Sequence, residues 1–247
     1  MQISNKRAQE IINFIKSLNL DKKYQKEFTH EKMRNLLFLN ESLTHSSANG
    51  EVNYENLEFL GDAVLRLIAS EFIKHKFPYM QVGERSELRS HLVSDEWLQE
   101  VGEKINIKNV LVIGQKALKD KSANSTIQAE ATEALIGALY ESLTTLDPIK
   151  DWLIPFWEDK SNEVLSDPHR QNYKSALQEW TQSKGLSIPK YKTIEIDKKH
   201  DNPKRFVCTV YIKDRSIAEG WGKSMKLAEK DAANKALNSL GKNVLNP

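Results

Sequence analysis

Two pairs of acids stand out by type and spacing. In YENLEFLGDAVLRLI, Glu58 and Asp62 lie four residues apart, so a helix places them on one face, with Leu57, Leu60, Val64 and Ile68 on one flank and Phe59, Ala63 and Leu67 on the other. In QAEATEALIGALY, Glu130 and Glu133 lie three apart beside a strongly apolar run. Carboxylates set among apolar neighbours are costly unless they are paired with a base or bound to a cation. Pairing is available to Asp62, because Arg66 follows at i+4. Neither Glu130 nor Glu133 has a Lys or Arg within four residues. Spacing alone leaves open both a salt-bridged surface and a cation site, and the former is the commoner pattern.

A second constellation is basic. Lys223, Lys226 and Lys230 recur at spacings of three and four beside Gly220 and Gly222, so they share one face at the start of a helix. Such a face can straddle phosphates while the helix N-terminus adds partial positive charge, or it can simply be solvated. The charge distribution bears on the choice. Residues 1–169 carry 20 Lys and Arg against 26 Asp and Glu, whereas residues 170–247 carry 16 against 8. The net +2 of the whole chain therefore conceals an acidic body and a basic tail, a pattern that suits a polyanionic partner or, more blandly, solubility.

The elements that must position these residues fall into two classes. Residues 1 to 150 show helical periodicity almost throughout, with helices expected over 6–18, 31–41, 55–75, 84–104, 124–145 and 148–164, and the apolar stretch VLVIG near 110–114 between two of them. The polar segment SDPHRQN contains Pro168, which disfavours helix at Asp167, and places a linker at 166–171. Beyond it come a short helix over 173–185, the strand candidates KYKTIEID, KRFVCTVYIK and SIAEGW, and a closing helix over 223–241. Phe206, Cys208, Val210 and Ile212 alternate with Val207, Thr209 and Tyr211, so one sheet face can pack on the helices and Cys208 reads as a small core residue. A lone cysteine makes no internal disulfide, and no apolar run approaches the ~20 residues of a membrane span. The N-terminal segment reads as an amphipathic helix rather than a signal peptide, so a cytoplasmic protein is expected.

NLEFLGDAVL, preceded by Glu55, closely resembles the signature of the ribonuclease III family. SLTHSS at 42–47, ERSELRSHLVS at 84–94 and EALIGALY at 133–140 are similar to further motifs of that family in the same order, and the tail from YKSALQE to KDAANKAL looks like a double-stranded RNA-binding domain. The resemblance implies an all-α nuclease domain over 1–165 and an α+β RNA-binding domain (α-β-β-β-α) over 172–242. It implies an endoribonuclease that hydrolyses double-stranded RNA, leaves 5′-phosphate and 3′-hydroxyl ends, and works with Mg²⁺, for which Mn²⁺ can substitute, in RNA processing or decay. Position by position, Glu58, Asp62 and Glu133 match the family's metal-site carboxylates, with Asp62 and Glu133 as the catalytic pair. Glu130 takes the fourth place, where most members have Asp, one methylene shorter; small neighbours Ala129, Ala131 and Thr132 are expected to accommodate it. Ser175, Gln178, Glu179 and Gln182 would read the minor groove of the duplex, with His200 in a loop that departs from the family pattern, and Lys223, Lys226 and Lys230 would hold phosphates. Glu55 fits an N-terminal helix acid about as well as a place near the RNA and the dimer interface, Glu84 fits a helix-surface charge better than a role in positioning substrate or structure, and His45 fits a packed, hydrogen-bonded ring better than a base. A duplex has two strands of opposite polarity, so a two-fold homodimer formed through the nuclease domain would bring one centre to each.

Overall fold

The computed structural model describes residues 3–120, 123–167, 169, 172–199 and 202–244. It separates into two compact units, residues 1–164 and 165–247, the first helical and the second built on a three-stranded sheet. Of the expected linker 166–171, Ser166 belongs to a helix, and 168, 170 and 171 lie outside the described residues. No helix among the described residues is long and apolar enough to cross a membrane.

The helical unit contains α1 (Asn5–Ser17), α2 (Lys22–Gln25), α3 (Met33–Ser42), α4 (Glu55–Lys76), α5 (Val82–Leu92), α6 (Asp95–Lys104), α7 (Gln115–Leu118), α8 (Asn124–Leu143) and α9 (Asp147–Ser166). The helix expected over 84–104 is two helices. Ser94 takes an extended backbone and its side chain accepts the Trp97 N–H at 3.2 Å, so it ends one helix and caps the next. Glu84, expected as a helix-surface charge, has a structural task instead: at the third position of α5 it closes a capping box with Gln81. The VLVIG segment is not free loop: Val112 forms a parallel bridge with Thr44, its N–H bonded to Leu43 O at 2.8 Å and its carbonyl accepting from His45 N–H at 2.9 Å.

α8 is the axis of this unit. Ten of its residues are buried, from Ile127 to Leu139, as expected for a helix wrapped by others. α4 lays Leu57, Gly61, Val64, Leu65 and Ile68 against the core, and its acids Glu55 and Glu58 in the first turn and Lys74, His75 and Lys76 in the last complement the helix dipole. The two helices meet without side chains between them. A Cβ on Gly61 would lie 2.0 Å from the Glu133 carbonyl oxygen, and one on Gly137 would lie 2.1 Å from the Leu57 carbonyl oxygen. Around this crossing, Trp97 stacks on Trp157 with ring centroids 5.9 Å apart, and the Trp157 indole N–H donates to Leu92 O at 3.0 Å.

The second unit runs α10 (Tyr173–Ser183), β1 (Lys190–Glu195), β2 (Phe206–Ile212), β3 (Arg215–Gly222) and α11 (Met225–Val244). The sheet is antiparallel in the order β1-β2-β3. Cys208, Val210 and Ile212 on β2 point to a core shared with Leu177, Ala228 and Ala232. Lys213 and Asp214 both have positive φ, 49° and 60°, which matches the strand twist across a two-residue turn. Gly220 and Gly222 let β3 approach α11, since a Cβ on Gly220 would lie 2.1 Å from the Ala232 nitrogen.

The helix crossing generates a stability prediction. Gly137→Ala forces a methyl into backbone 2.1 Å away and should destabilise the nuclease unit by about 1–3 kcal/mol in urea unfolding, whereas Gly50→Ala, with nothing within 4 Å, should be nearly silent. A Gly137→Ala protein as stable as its parent would show that the crossing has slack.

Candidate functional site

Because α4 and α8 touch at Gly61 and Gly137, Glu58 and Asp62 on either side of Gly61 are brought beside Glu133, and Glu58 also lies near Glu130. Glu58 and Asp62 come from α4, Glu130 and Glu133 from α8, and all four are half-buried. The Glu133 side chain lies beside the crossing itself, its Cγ 3.3 Å from where a Gly61 Cβ would stand. The electrostatics record the convergence. Burial pushes the Glu133 carboxyl up to about 8, and the charges of Asp62, Glu58 and Asp95 add to the rise while Arg66 offsets part of it. Glu58 is raised as well, first by burial and then by Glu130, Glu55 and Asp95.

Like charges this close turn to whatever donors their neighbours offer. Asp62 Oδ1 accepts from Arg66 Nε at 2.6 Å, the i+4 pair available in the sequence, with both side chains substantially exposed. Glu130 Oε2 accepts from the Tyr54 hydroxyl at 2.5 Å. Burial and the Glu130 carboxylate hold the Tyr54 phenol well above its ordinary value, so it keeps its proton and donates. No three His, Cys, Asp or Glu side chains among the described residues form a ready-made metal cage. Ala129, Ala131 and Thr132, the small neighbours of Glu130, are all buried in helix packing, Thr132 against Gly102 of α6.

A family model described as Ribonuclease-III-like matches residues 35–146, and one described as a double-stranded RNA binding motif matches residues 173–240. Ribonuclease 3 of Prochlorococcus marinus is 52% identical over 238 residues, covering 96% of each chain. The chain belongs to the ribonuclease III family. Ribonuclease 3 2 of Synechocystis is 40% identical over 195 residues, covering 79% of this chain and 80% of its own. Among solved structures, the nuclease domain of ribonuclease III from Campylobacter jejuni is 28% identical and superposes with a TM-score of 0.50, covering 59% of this chain and 97% of that one.

Two residues beside the ribonuclease III signature escaped the sequence reading. Tyr54 sits one residue before the signature helix, and nothing in its local sequence indicates a bond to Glu130, 76 residues away. Asp95 opens α6, a helix the periodicity had merged with α5, so its charge beside Glu58 and Glu133 could not be foreseen. His45 is a packed ring: its Nδ1 accepts the Ser47 N–H at 2.9 Å, and it meets Tyr54 edge-on at 5.4 Å. Glu55 is exposed at the start of α4, its N–H capped by Asn53 Oδ1 at 3.0 Å.

In the second unit, Ser175, Gln178, Glu179 and Gln182 are all exposed on α10, opposite the buried Leu177 and Thr181. Lys223 and Lys226 are exposed and Lys230 is half-buried at the start of α11. His200 lies outside the described residues. A groove of about 720 Å³ adjoins this basic face, floored by Trp221 and lined by Lys204, Lys223, Lys230 and Lys235. Lys235 Nζ stands 4.3 Å from the centre of the Trp221 ring, a placement the sequence pattern did not suggest.

The raised Glu133 carboxyl has a measurable consequence for the metal-free protein. Between its ordinary value of 4.5 and about 8 the folded chain retains a proton that the unfolded chain releases. Stability from this group is thus complete at the lower pH and is lost as pH rises through about 8. In chelator, the parent should lose ~1 kcal/mol relative to Glu133→Gln between about pH 5 and about pH 8.5, a figure discounted for water that still reaches the carboxyl. Parallel pH profiles of the two urea midpoints would refute the burial penalty.

Proposed function

We propose that this chain is an endoribonuclease that hydrolyses double-stranded RNA at the α4–α8 crossing, with Glu58, Asp62, Glu130 and Glu133 holding Mg²⁺, for which Mn²⁺ can substitute. The observation that carries the reading is that Glu58 and Asp62 on α4 stand close enough to Glu133 on α8 for their charges to add to the burial that raises its carboxyl to about 8. Carboxylate oxygens are hard donors that suit Mg²⁺, and a divalent cation would relieve the repulsion that Arg66 only partly offsets, so the residues fit the ion. When bound, the ion supplies an activated water at neutral pH and neutralises charge on the scissile phosphate, which leaves 5′-phosphate and 3′-hydroxyl products.

The chain's own residues supply the rest. Glu133 and Asp62, from the two crossing helices, fix the catalytic position, and Arg66 orients Asp62 through its Nε. Lys223, Lys226 and Lys230 follow duplex phosphates, and Ser175, Gln178, Glu179 and Gln182 on the exposed face of α10 meet 2′-hydroxyls and base edges, the contacts that distinguish RNA from DNA. His200 belongs to the same proposed interface. On α4, Phe59 is 84% exposed and Leu67 51%, with Ala63 exposed between them, an apolar stripe at i, i+4 and i+8 on the outer face of the signature helix. Such a stripe supports a homodimer through the nuclease domain, with one centre for each strand. The processing or decay of cytoplasmic RNA is the setting that this activity fits.

Two outcomes follow. Glu133→Gln should bind duplex RNA like the parent while cleavage at saturating Mg²⁺ falls by orders of magnitude, because an amide is a poor ligand for a hard cation; near-parental cleavage would remove Glu133 from the site. Lys223→Ala with Lys226→Ala should weaken duplex binding about equally across sequences and lower the salt slope of log K by about two, measured by titration at several salt concentrations. An unchanged slope would mean that these lysines do not meet phosphates.

A further inference from the structure

The Leu-Thr-His segment at 43–45 has so far no task in the chemistry, yet it is pinned from several sides. Its backbone pairs with Val112 through Leu43 O and His45 N–H. Ser47 Oγ accepts the Gly114 N–H at 2.9 Å and contacts His45 Nδ1 at 2.7 Å. This rigid loop holds Tyr54: Thr44 O accepts the Tyr54 N–H at 3.0 Å, and the His45 ring packs against the phenol. Tyr54 is only 2% exposed, so its ring has one place to be, and its hydroxyl reaches Glu130 Oε2.

The length of Glu130 then acquires a reason. An aspartate at this position would end about one carbon–carbon bond, ~1.5 Å, short of the fixed hydroxyl. The residues on either side of Glu130 are buried in helix packing, so α8 cannot shift to make up the distance. We propose that Tyr54 is a positioning residue of the cation site: its hydroxyl clamps the Glu130 carboxylate, leaves the other oxygen for the ion, and makes Glu rather than Asp the side chain this site requires. The inference rests on the reading of Glu130 as a cation ligand. Outer hydrogen bonds of this kind set the orientation and affinity of a ligating carboxylate, and their loss ordinarily costs 10–100-fold in metal affinity.

The test is a thermodynamic cycle of Tyr54→Phe, Glu130→Asp and the double variant, with Mn²⁺ binding to the full chain followed by electron paramagnetic resonance in the absence of RNA. Circular dichroism melts in chelator establish that each variant is folded, and Phe keeps the ring that packs on His45. Tyr54→Phe is expected to weaken Mn²⁺ binding about tenfold, Glu130→Asp by a similar factor, and the double variant no more than the weaker single, because each change removes the same contact. Cleavage by Tyr54→Phe should approach the parental rate at saturating Mg²⁺ with the midpoint displaced upward about tenfold. A Tyr54→Phe curve that superimposes on the parent, or effects that multiply in the double variant, would overturn the clamp. Glu133→Gln separates the two layers of the argument. If it binds Mn²⁺ as the parent does, the cation site itself is wrong; if it loses Mn²⁺ while Tyr54→Phe does not, only the clamp fails.

Discussion

The contact between α4 and α8 is the constraint from which the rest of the nuclease unit follows. Gly61 and Gly137 remove the side chains that would ordinarily separate two packed helices, and the backbones close until any added methyl would overlap a carbonyl oxygen. Burial of the apolar residues around the crossing provides the driving force, and the glycines set its distance. Acids placed beside such a contact, as Glu58, Asp62 and Glu133 are, cannot avoid one another, whatever their individual preferences. The geometry of the site is therefore a property of the core, and a change in the core is a change in the chemistry.

That arrangement costs stability. Glu133 is held to about 8 by burial and by neighbouring carboxylates, so near neutral pH the folded protein must keep on this group a proton that the unfolded chain gives up. Arg66 and Tyr54 each engage one acid of the four and moderate the repulsion without neutralising the cluster. Asp95, at the N-terminus of α6, adds a further negative charge beside Glu58 and Glu133. A site of this kind favours a divalent cation over a lysine or arginine, because a small ion can be shared by several oxygens where a single side-chain cation cannot reach them all.

The sequence made the acids legible, since carboxylates beside apolar runs on helices of the right spacing have few explanations. It also made the second unit legible: alternation along β2 placed Cys208 in the core, and the order of one helix, three strands and one helix is the order found. What it missed shares a cause. The break at Ser94 depends on one side chain accepting one backbone N–H, against a periodicity that continues across it. The bridge between Thr44 and Val112 and the bond between Tyr54 and Glu130 join residues far apart in the chain, and no local pattern encodes them. Asp95 was hidden behind the same misplaced helix boundary. Period and composition report which face of an element is buried; they are silent about which polar groups meet once the elements have packed.

Charge explains why such a centre benefits from a second unit. Residues 1–169 hold six more acids than bases, and the proposed reaction centre lies within this acidic part of the chain. An RNA duplex, itself a dense polyanion, would be repelled from the acids by the same field that attracts the cation. Residues 170–247 hold eight more bases than acids, and their exposed lysines and the polar face of α10 offer attraction that the nuclease unit lacks. Attraction through lysines releases counterions and weakens with salt, whereas a cation held by half-buried carboxylates would be screened less. On the proposed reading, capture of the substrate and assembly of the reacting centre respond to different variables, ionic strength for the one and divalent cation concentration for the other.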